Sequence, residues 1–211
     1  MQAIKAYTQI FKDFEGQKVL QKLELVGRTC YKSEDKITED SAAKFVAGLI
    51  KRGHEAMLEH VSVTVKFVVD RGISHELVRH RLASFAQEST RYCNYSKDDF
   101  GSEITFIIPD YLEYKSEGWN IWKESMKQAE DAYFKMLDFG LSPQQARAVL
   151  PNSLKTEVVM TANLREWRHF FKLRALGTTG KPHPQMLEVT VPLLEDFKQM
   201  IPVVFDDLVV K

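Results

Sequence analysis

Residues 61–69 constrain the fold of this chain more than any other stretch. Val61, Val63, Val65, Phe67 and Val69 alternate with Ser62, Thr64 and Lys66. That period of two is the pattern of a strand with one apolar and one polar face. Ile104-Thr105-Phe106-Ile107-Ile108 predicts a second strand, stopped by Pro109, and Thr156 to Thr161 a further one.

Between the strands the apolar period changes to that of a helix. Residues 17–31 place Val19, Leu20, Leu23 and Val26 at helical spacing, and residues 39–52 place Ala42, Phe45, Val46, Leu49 and Ile50 on one stripe, with Gly53 as the stop. A long helix is predicted over 119–139, carrying Trp122, Met126, Ala129, Tyr133 and Met136 and closed by Gly140. Ser142-Pro143 reads as a cap and first-turn pair, which puts Arg147 on a short helix ending before Pro151. Asn163-Leu164-Arg165-Glu166 resembles a reciprocal capping arrangement and opens the next helix. A last helix runs from about residue 185, with Pro192 as a kink point. Gly72 and Ser74, the latter as candidate cap, open a short helix over His75-Glu76-Leu77-Val78. There is no internal repeat and no low-complexity segment.

At 211 residues one domain, 1–211, is the simplest organisation. No apolar run approaches the roughly 18 residues that span a bilayer, and Met1 to Lys5 has no leader character, so no membrane role is expected. Cys30 and Cys93 suit a reduced, cytoplasmic protein better than a disulfide framework. The 29 basic and 29 acidic residues cancel, whereas a general nucleic-acid binder carries a basic excess to neutralise phosphates. No nucleic-acid partner is therefore expected.

The arginines are unevenly placed despite that neutrality. Arg71, Arg79, Arg81 and Arg91 fall in one window and Arg165, Arg168 and Arg174 in another, with Arg147 between. The guanidinium fork fits phosphate and carboxylate oxygens two at a time, so Arg79-His80-Arg81 through Ser89-Thr90-Arg91-Tyr92 points to an anionic, phosphorylated ligand. At 100° per helical residue, Arg79, His80 and Arg81 fan toward different partners, as two ligands meeting at a junction require. The competing reading is a charged helix end followed by a polar loop. Arg174 follows Phe170 by four and Phe171 by three, so it borders an apolar face and needs an anionic or hydrogen-bonding partner. Structural pairing with carbonyls is the alternative. Arg165, His169 and Lys172 line another side of that helix.

Other candidates weigh less. His54-Glu55 opens like a zinc-protease motif, but His60 stands six places on, about 240° around a helix, so no metal site is expected. Cys93 is either a nucleophile or a buried thiol. His80 is either an acid–base group or a neutral hydrogen-bonding partner. The glycines form no phosphate-cradling pattern. A binder of single-stranded nucleic acid, stacking bases on Phe85, Tyr92 and Tyr95 beside Arg79, Arg81 and Arg91, is the runner-up of another class.

Arg79-His80-Arg81, seven further residues, then Ser89-Thr90-Arg91-Tyr92 resembles the signature of the flavin-dependent thymidylate synthases. Gly27-Arg28-Thr29-Cys30-Tyr31, Gly53-His54-Glu55 with Glu59-His60, Arg147 through Pro151, and Asn163 through Arg174 follow in that family's order, so residues from about 20 to 190 are covered. The resemblance implies conversion of dUMP to dTMP with 5,10-methylenetetrahydrofolate as carbon donor, NADPH as reductant and FAD as bound carrier. It implies an α/β protomer of the α+β kind, a small mostly antiparallel sheet flanked by helices with a helical section, in a homotetramer whose active sites are shared between subunits. By position, Arg79, His80, Arg81, Gln87, Asn163, Leu164, Arg165 and His169 are similar to the FAD contacts. Glu76, Leu77, Val78, Arg79, Gln87, Glu88, Ser89, Thr90, Arg91, Arg147 and Arg174 are similar to the dUMP contacts, with Arg174 the catalytic residue. Three positions depart from the family pattern. Ala56 stands where Ser or Thr is common, Gln87 where Glu is common, and Glu76 where Gln is frequent.

Overall fold

The alternating segment forms a strand in which Val63, Val65 and Phe67 are fully buried while Ser62, Thr64 and Lys66 are not. Toward its end the alternation stops: Val68, Val69 and Asp70 are buried as well, so this strand is covered on both faces there. It belongs to a computed structural model that describes residues 1–11, 14–93, 95 and 103–210. In chain order the elements are β1 (Gln2–Ile4), β2 (Tyr7–Ile10), α1 (Gly16–Thr29), α2 (Ser41–Lys51), β3 (Ser62–Asp70), α3 (Arg71–Leu77), β4 (Ala83–Gln87), β5 (Thr105–Ile107), α4 (Glu117–Asp138), α5 (Pro143–Ala146), β6 (Lys155–Asn163), α6 (Leu164–Arg174) and α7 (Pro184–Met200). Short 3-10 turns lie at Glu34–Lys36, Glu55–His60 and Arg147–Val149.

Four strands pair in the order β2-β3-β6-β4, and β1 pairs with β5 in parallel. Along β3, Thr64 meets Thr161 and Lys66 meets Glu157. Partner numbers fall as those of β3 rise, so this pair is antiparallel. The chain is thus an α+β protein with an antiparallel sheet, as expected. The long helices and β3, β5 and β6 were anticipated from the sequence, but β1, β2 and β4 were not. None of these three has a fully buried residue, so none carries the apolar alternation that announces a strand. The stretch after Arg81 forms β4.

By contacts the chain forms two compact units, one of Met1–Thr8, Lys66–Arg79 and Phe85–Val159, the other of Gln9–Val65, His80–Ser84 and Met160–Lys211. In the first unit, α4 lays Trp122, Met126 and Tyr133 against Ile104, Phe106, Ala146 and Leu154. Ser116 caps that helix by accepting from the amide of Trp119. In the second unit, Trp167 and Phe171 of α6 meet Phe197 of α7, Phe205 packs on Phe171 and Phe197, and Phe170 packs on Trp167 and Phe171, with ring centroids 5.1–5.8 Å apart and mostly tilted or edge-on. Gly16 is required at the start of α1, because a Cβ there would lie 2.0 Å from the carbonyl oxygen of Met200.

Candidate functional site

The first unit turns β3 directly into α3. Asp70, the last strand residue, caps the helix by accepting from the amide of Ile73 at 2.7 Å. Ser74, expected to be that cap, lies inside the helix instead. Its hydroxyl donates to the Arg71 carbonyl at 2.9 Å and accepts from Gln87 Nε2 at 3.0 Å. The same amide nitrogen lies 3.3 Å from Thr156 Oγ1. With the Ser74 proton given to Arg71, the Gln87 amide serves as donor to both hydroxyls.

Arg71 begins α3 with its amide held by the carbonyls of Asn152 and Leu154. Its side chain, with those of His75, Thr90, Arg147 and Asn152, lines a cavity of about 390 Å³. Arg147 Nη1 donates to Thr90 Oγ1 at 3.0 Å, so Arg147 and Thr90, both expected on sequence grounds, do come together. The cavity has two guanidinium groups, an imidazole and hydrogen-bonding side chains, and no acid among the described residues that line it. Arg71 and His75 were not foreseen as members. Arg71 stood in the arginine window, and only the return of the chain at 147–154 shows where it points.

The rest of the Gln87–Arg91 stretch divides. Glu88 is turned to its own neighbours, accepting from Lys155 at 3.0 Å and from the Tyr95 hydroxyl at 3.3 Å. Burial opposes the charge on Lys155, but Glu157 and Glu88 outweigh it and its pKa rises. Ser89 anchors a turn, with its hydroxyl receiving the Arg91 amide and its carbonyl the amides of Tyr92 and Cys93. Arg91 is exposed, its guanidinium 5.5 Å from the Tyr92 ring centroid. Glu76 is half-buried, Leu77 is buried in the core, and Val78 and Arg79 are exposed. Burial pushes the Cys93 thiol up, and Glu88 adds to that, which is the reverse of an activated nucleophile. Tyr95 is buried and Phe85 half-buried, so of the three stacking rings only Tyr92 is exposed.

The second unit builds its cluster on α6. Asn163 caps the helix, its side chain accepting from the amide of Glu166 at 2.8 Å. That is half of the expected capping arrangement. The Glu166 carboxylate faces His80 instead, with Oε1 3.2 Å from Nδ1. Arg174 Nε donates to the other ring nitrogen, Nε2, at 3.1 Å. Phe170 and His169 flank the His80 ring edge-on at 4.9 and 6.0 Å. His80 and Glu166 are each 5% exposed. Burial, with Arg174 and His169 nearby, lowers the His80 pKa to about 4, and burial raises that of Glu166. His80, Glu166 and His169 bring three ligand-type atoms within 4.8 Å of one another. Both His80 nitrogens are nonetheless engaged and a guanidinium sits beside them, which suits a hydrogen-bond relay better than a cation.

Around this cluster, Arg165 pairs with Glu59 at 2.5 Å and Arg168 with Glu55 and Asp207. Arg168 is 2% exposed and also donates to the Val204 carbonyl. It is the structural arginine of its window. Glu55 and Glu59, from the stretch with the histidine pair, are thus counter-ions of α6. Leu164 is buried and its amide donates to the Val61 carbonyl, while Arg81, Arg165 and His169 are exposed. Glu166, unassigned by sequence beyond its cap, was missed because nothing local ties it to a residue 86 positions earlier.

A family model described as thymidylate synthase complementing protein matches residues 17–203. The flavin-dependent thymidylate synthase of Geobacter sulfurreducens is 31% identical over 190 residues, covering 87% of this chain and 79% of that protein. That of Pyrococcus furiosus is 36% identical over 149 residues, covering 70% and 60%. Among solved structures, the UMP/dUMP methylase PolB from Streptomyces cacaoi, bound with 5-Br dUMP, matches with a TM-score of 0.81 over 98% of this chain and 96% of that one. At 21% identity that likeness is one of fold.

Proposed function

The chain belongs to the thymidylate synthase complementing protein family, and from that membership we propose that it converts dUMP to dTMP by reductive methylation, a step of deoxynucleotide biosynthesis. The observation that carries this reading is the cavity that gathers Arg71, His75, Thr90 and Arg147. A nucleoside monophosphate presents a compact dianion, and two guanidinium forks with a hydroxyl match its oxygens. Ser89 and Arg91 add donors, with main-chain groups of the Gln87–Arg91 stretch assisting. Gln87 and Glu88 act through positioning, since their side chains are tied to Ser74, Thr156, Lys155 and Tyr95.

Arg174 stabilises the negative charge that develops on the pyrimidine ring as it is activated, an electrostatic role that gains strength away from bulk water. No enzyme nucleophile is needed, in keeping with the raised thiol pKa of Cys93. The residues also fit FAD. Arg79, Arg81 and His169 are exposed cationic or titratable groups, and Arg165 is held by an exposed ion pair with Glu59 that costs little to open. When bound, FAD supplies hydride, with 5,10-methylenetetrahydrofolate giving the carbon and NADPH the electrons. Residues 1–211 act as one catalytic domain of a cytoplasmic homotetramer whose active sites draw on several subunits. Two free cysteines suit that compartment.

Purified protein is expected to be yellow, and to form dTMP only with dUMP, the folate donor and NADPH all present. Colourless protein that cannot be loaded with FAD, or salt-sensitive oligonucleotide binding in place of dTMP formation, overturns the reading.

A further inference from the structure

The Arg174 side chain donates from Nε to an imidazole nitrogen, Nε2 of His80. An arginine Nε always carries its proton, so His80 Nε2, 3.1 Å away, has to be a lone pair. The single proton of a neutral ring then sits on Nδ1 and points at Glu166 Oε1, 3.2 Å away. The opposite tautomer sets two N–H groups against each other and leaves the carboxylate without that donor. Packing backs up the assignment. Phe170 meets the ring edge-on at 4.9 Å, which opposes a ring flip, and His80 and Glu166 are both withdrawn from water. Glu166, Phe170 and Arg174 recur every four residues on α6, so one helix face presents carboxylate, clamp and guanidinium in succession.

We propose that Glu166 and His80 are positioning residues for Arg174: the carboxylate fixes the Nδ1–H tautomer of His80, and the lone pair left on Nε2 holds the guanidinium by its Nε–H edge. Fixing that edge fixes the plane of the two terminal nitrogens, the donors that matter for a developing anion. Among the described residues, the titratable and charged groups facing His80 are Glu166, His169 and Arg174, all on α6. The cations disfavour a charged imidazole, and burial acts in the same sense. A charged ring would turn Nε2 into a donor and break its bond to Arg174 Nε, so the relay holds down to a pH well below the ordinary histidine range of about 6.5. The catalytic consequence rests on the proposed role of Arg174, but the tautomer does not.

Nitrogen-15 spectra of the histidine rings decide the tautomer without turnover. The wild-type protein is expected to show His80 as neutral Nδ1–H from about pH 8 to about pH 5, while an ordinary histidine titrates near 6.5. Glu166→Gln, whose carboxamide can donate to Nδ1, is expected to shift His80 toward Nε2–H. It is also expected to lower kcat for dTMP formation by about 10-fold to 100-fold, with a smaller change in KM for dUMP. In an Arg174→Ala background the same change is expected to cost nothing further. A wild-type His80 found as Nε2–H, or titrating near 6.5, overturns the relay, as does a Glu166→Gln loss fully additive with that of Arg174→Ala. Wild-type protein that forms no dTMP overturns the reaction assignment alone, since the spectra still decide the relay.

Discussion

Arg174 and Cys93 are expected to answer the same substitution in opposite ways. Removing one preorganised donor to a developing anion typically lowers kcat about 100-fold to 1000-fold, and Arg174→Ala is expected to fall in that range. Cys93→Ala is expected to keep most of the activity, because its thiol is pushed up rather than activated. Steady-state dTMP formation by both variants checks the pair, and equal losses would count against it. His80 gives a pH effect of known sign. Its folded pKa of about 4 lies below the ordinary 6.5, so between those values the unfolded chain binds a proton that the folded chain does not. Stability therefore falls as pH drops from 6.5 toward 4 and is level above. The raised Glu166 carboxyl works in the opposite sense, so the net loss is smaller than His80 alone would give. Urea unfolding at about pH 7 and pH 4.5 measures it, and His80→Gln is expected to flatten the slope. At this scale the sequence brought Arg147, Thr90 and Arg174 forward by residue type, and the structure pairs Arg147 with Thr90 and Arg174 with His80. The roles of Arg71, His75 and Glu166 were not foreseen, since they depend on partners far along the chain.

Elements were legible in proportion to the apolar surface they bury. Helices α1, α2, α4, α6 and α7 and strand β3 declared their period, whereas β4 is a strand through pairing alone. Ser74 was a reasonable cap by residue type, yet Asp70 holds the position because β3 runs on to it and leaves no connecting loop. Loss of that cap should act on the element that carries Arg71. Asp70→Ala is expected to cost about 1–2 kcal/mol of stability and to weaken dUMP binding, measured by denaturant unfolding and by calorimetric titration. Unchanged stability would place the start of α3 under other control. In the second unit, Phe197 touches Trp167, Phe171 and Phe205, and Phe197→Ala should cost about 3–5 kcal/mol. A loss below about 1 kcal/mol would mean that α6 and α7 do not depend on this ring cluster.

For the whole molecule, the antiparallel α+β architecture followed from the motif order, while the division into two units did not. Strand β3 supplies Ser62–Val65 to one unit and Lys66–Asp70 to the other, and β6 is divided in the same way after Val159, so no shift in composition marks a boundary. Tyr31, Leu82, Ile121 and Phe139 are each more than 60% exposed, apolar surface of the kind that subunit contacts cover. Light scattering coupled to size exclusion is expected to give four copies of 24.4 kDa, and a monomer at micromolar concentration would refute the shared-site assembly. The path of the chain has one more consequence. It passes from one unit to the other after Thr8, Val65, Arg79, Ser84 and Val159, five times in all. No single cut yields either unit as a continuous polypeptide, so gene fragments cannot exchange one without the other. The Arg71–Arg147 cavity of one unit and the His80 cluster of the other therefore cannot be moved separately into another protein as single gene fragments.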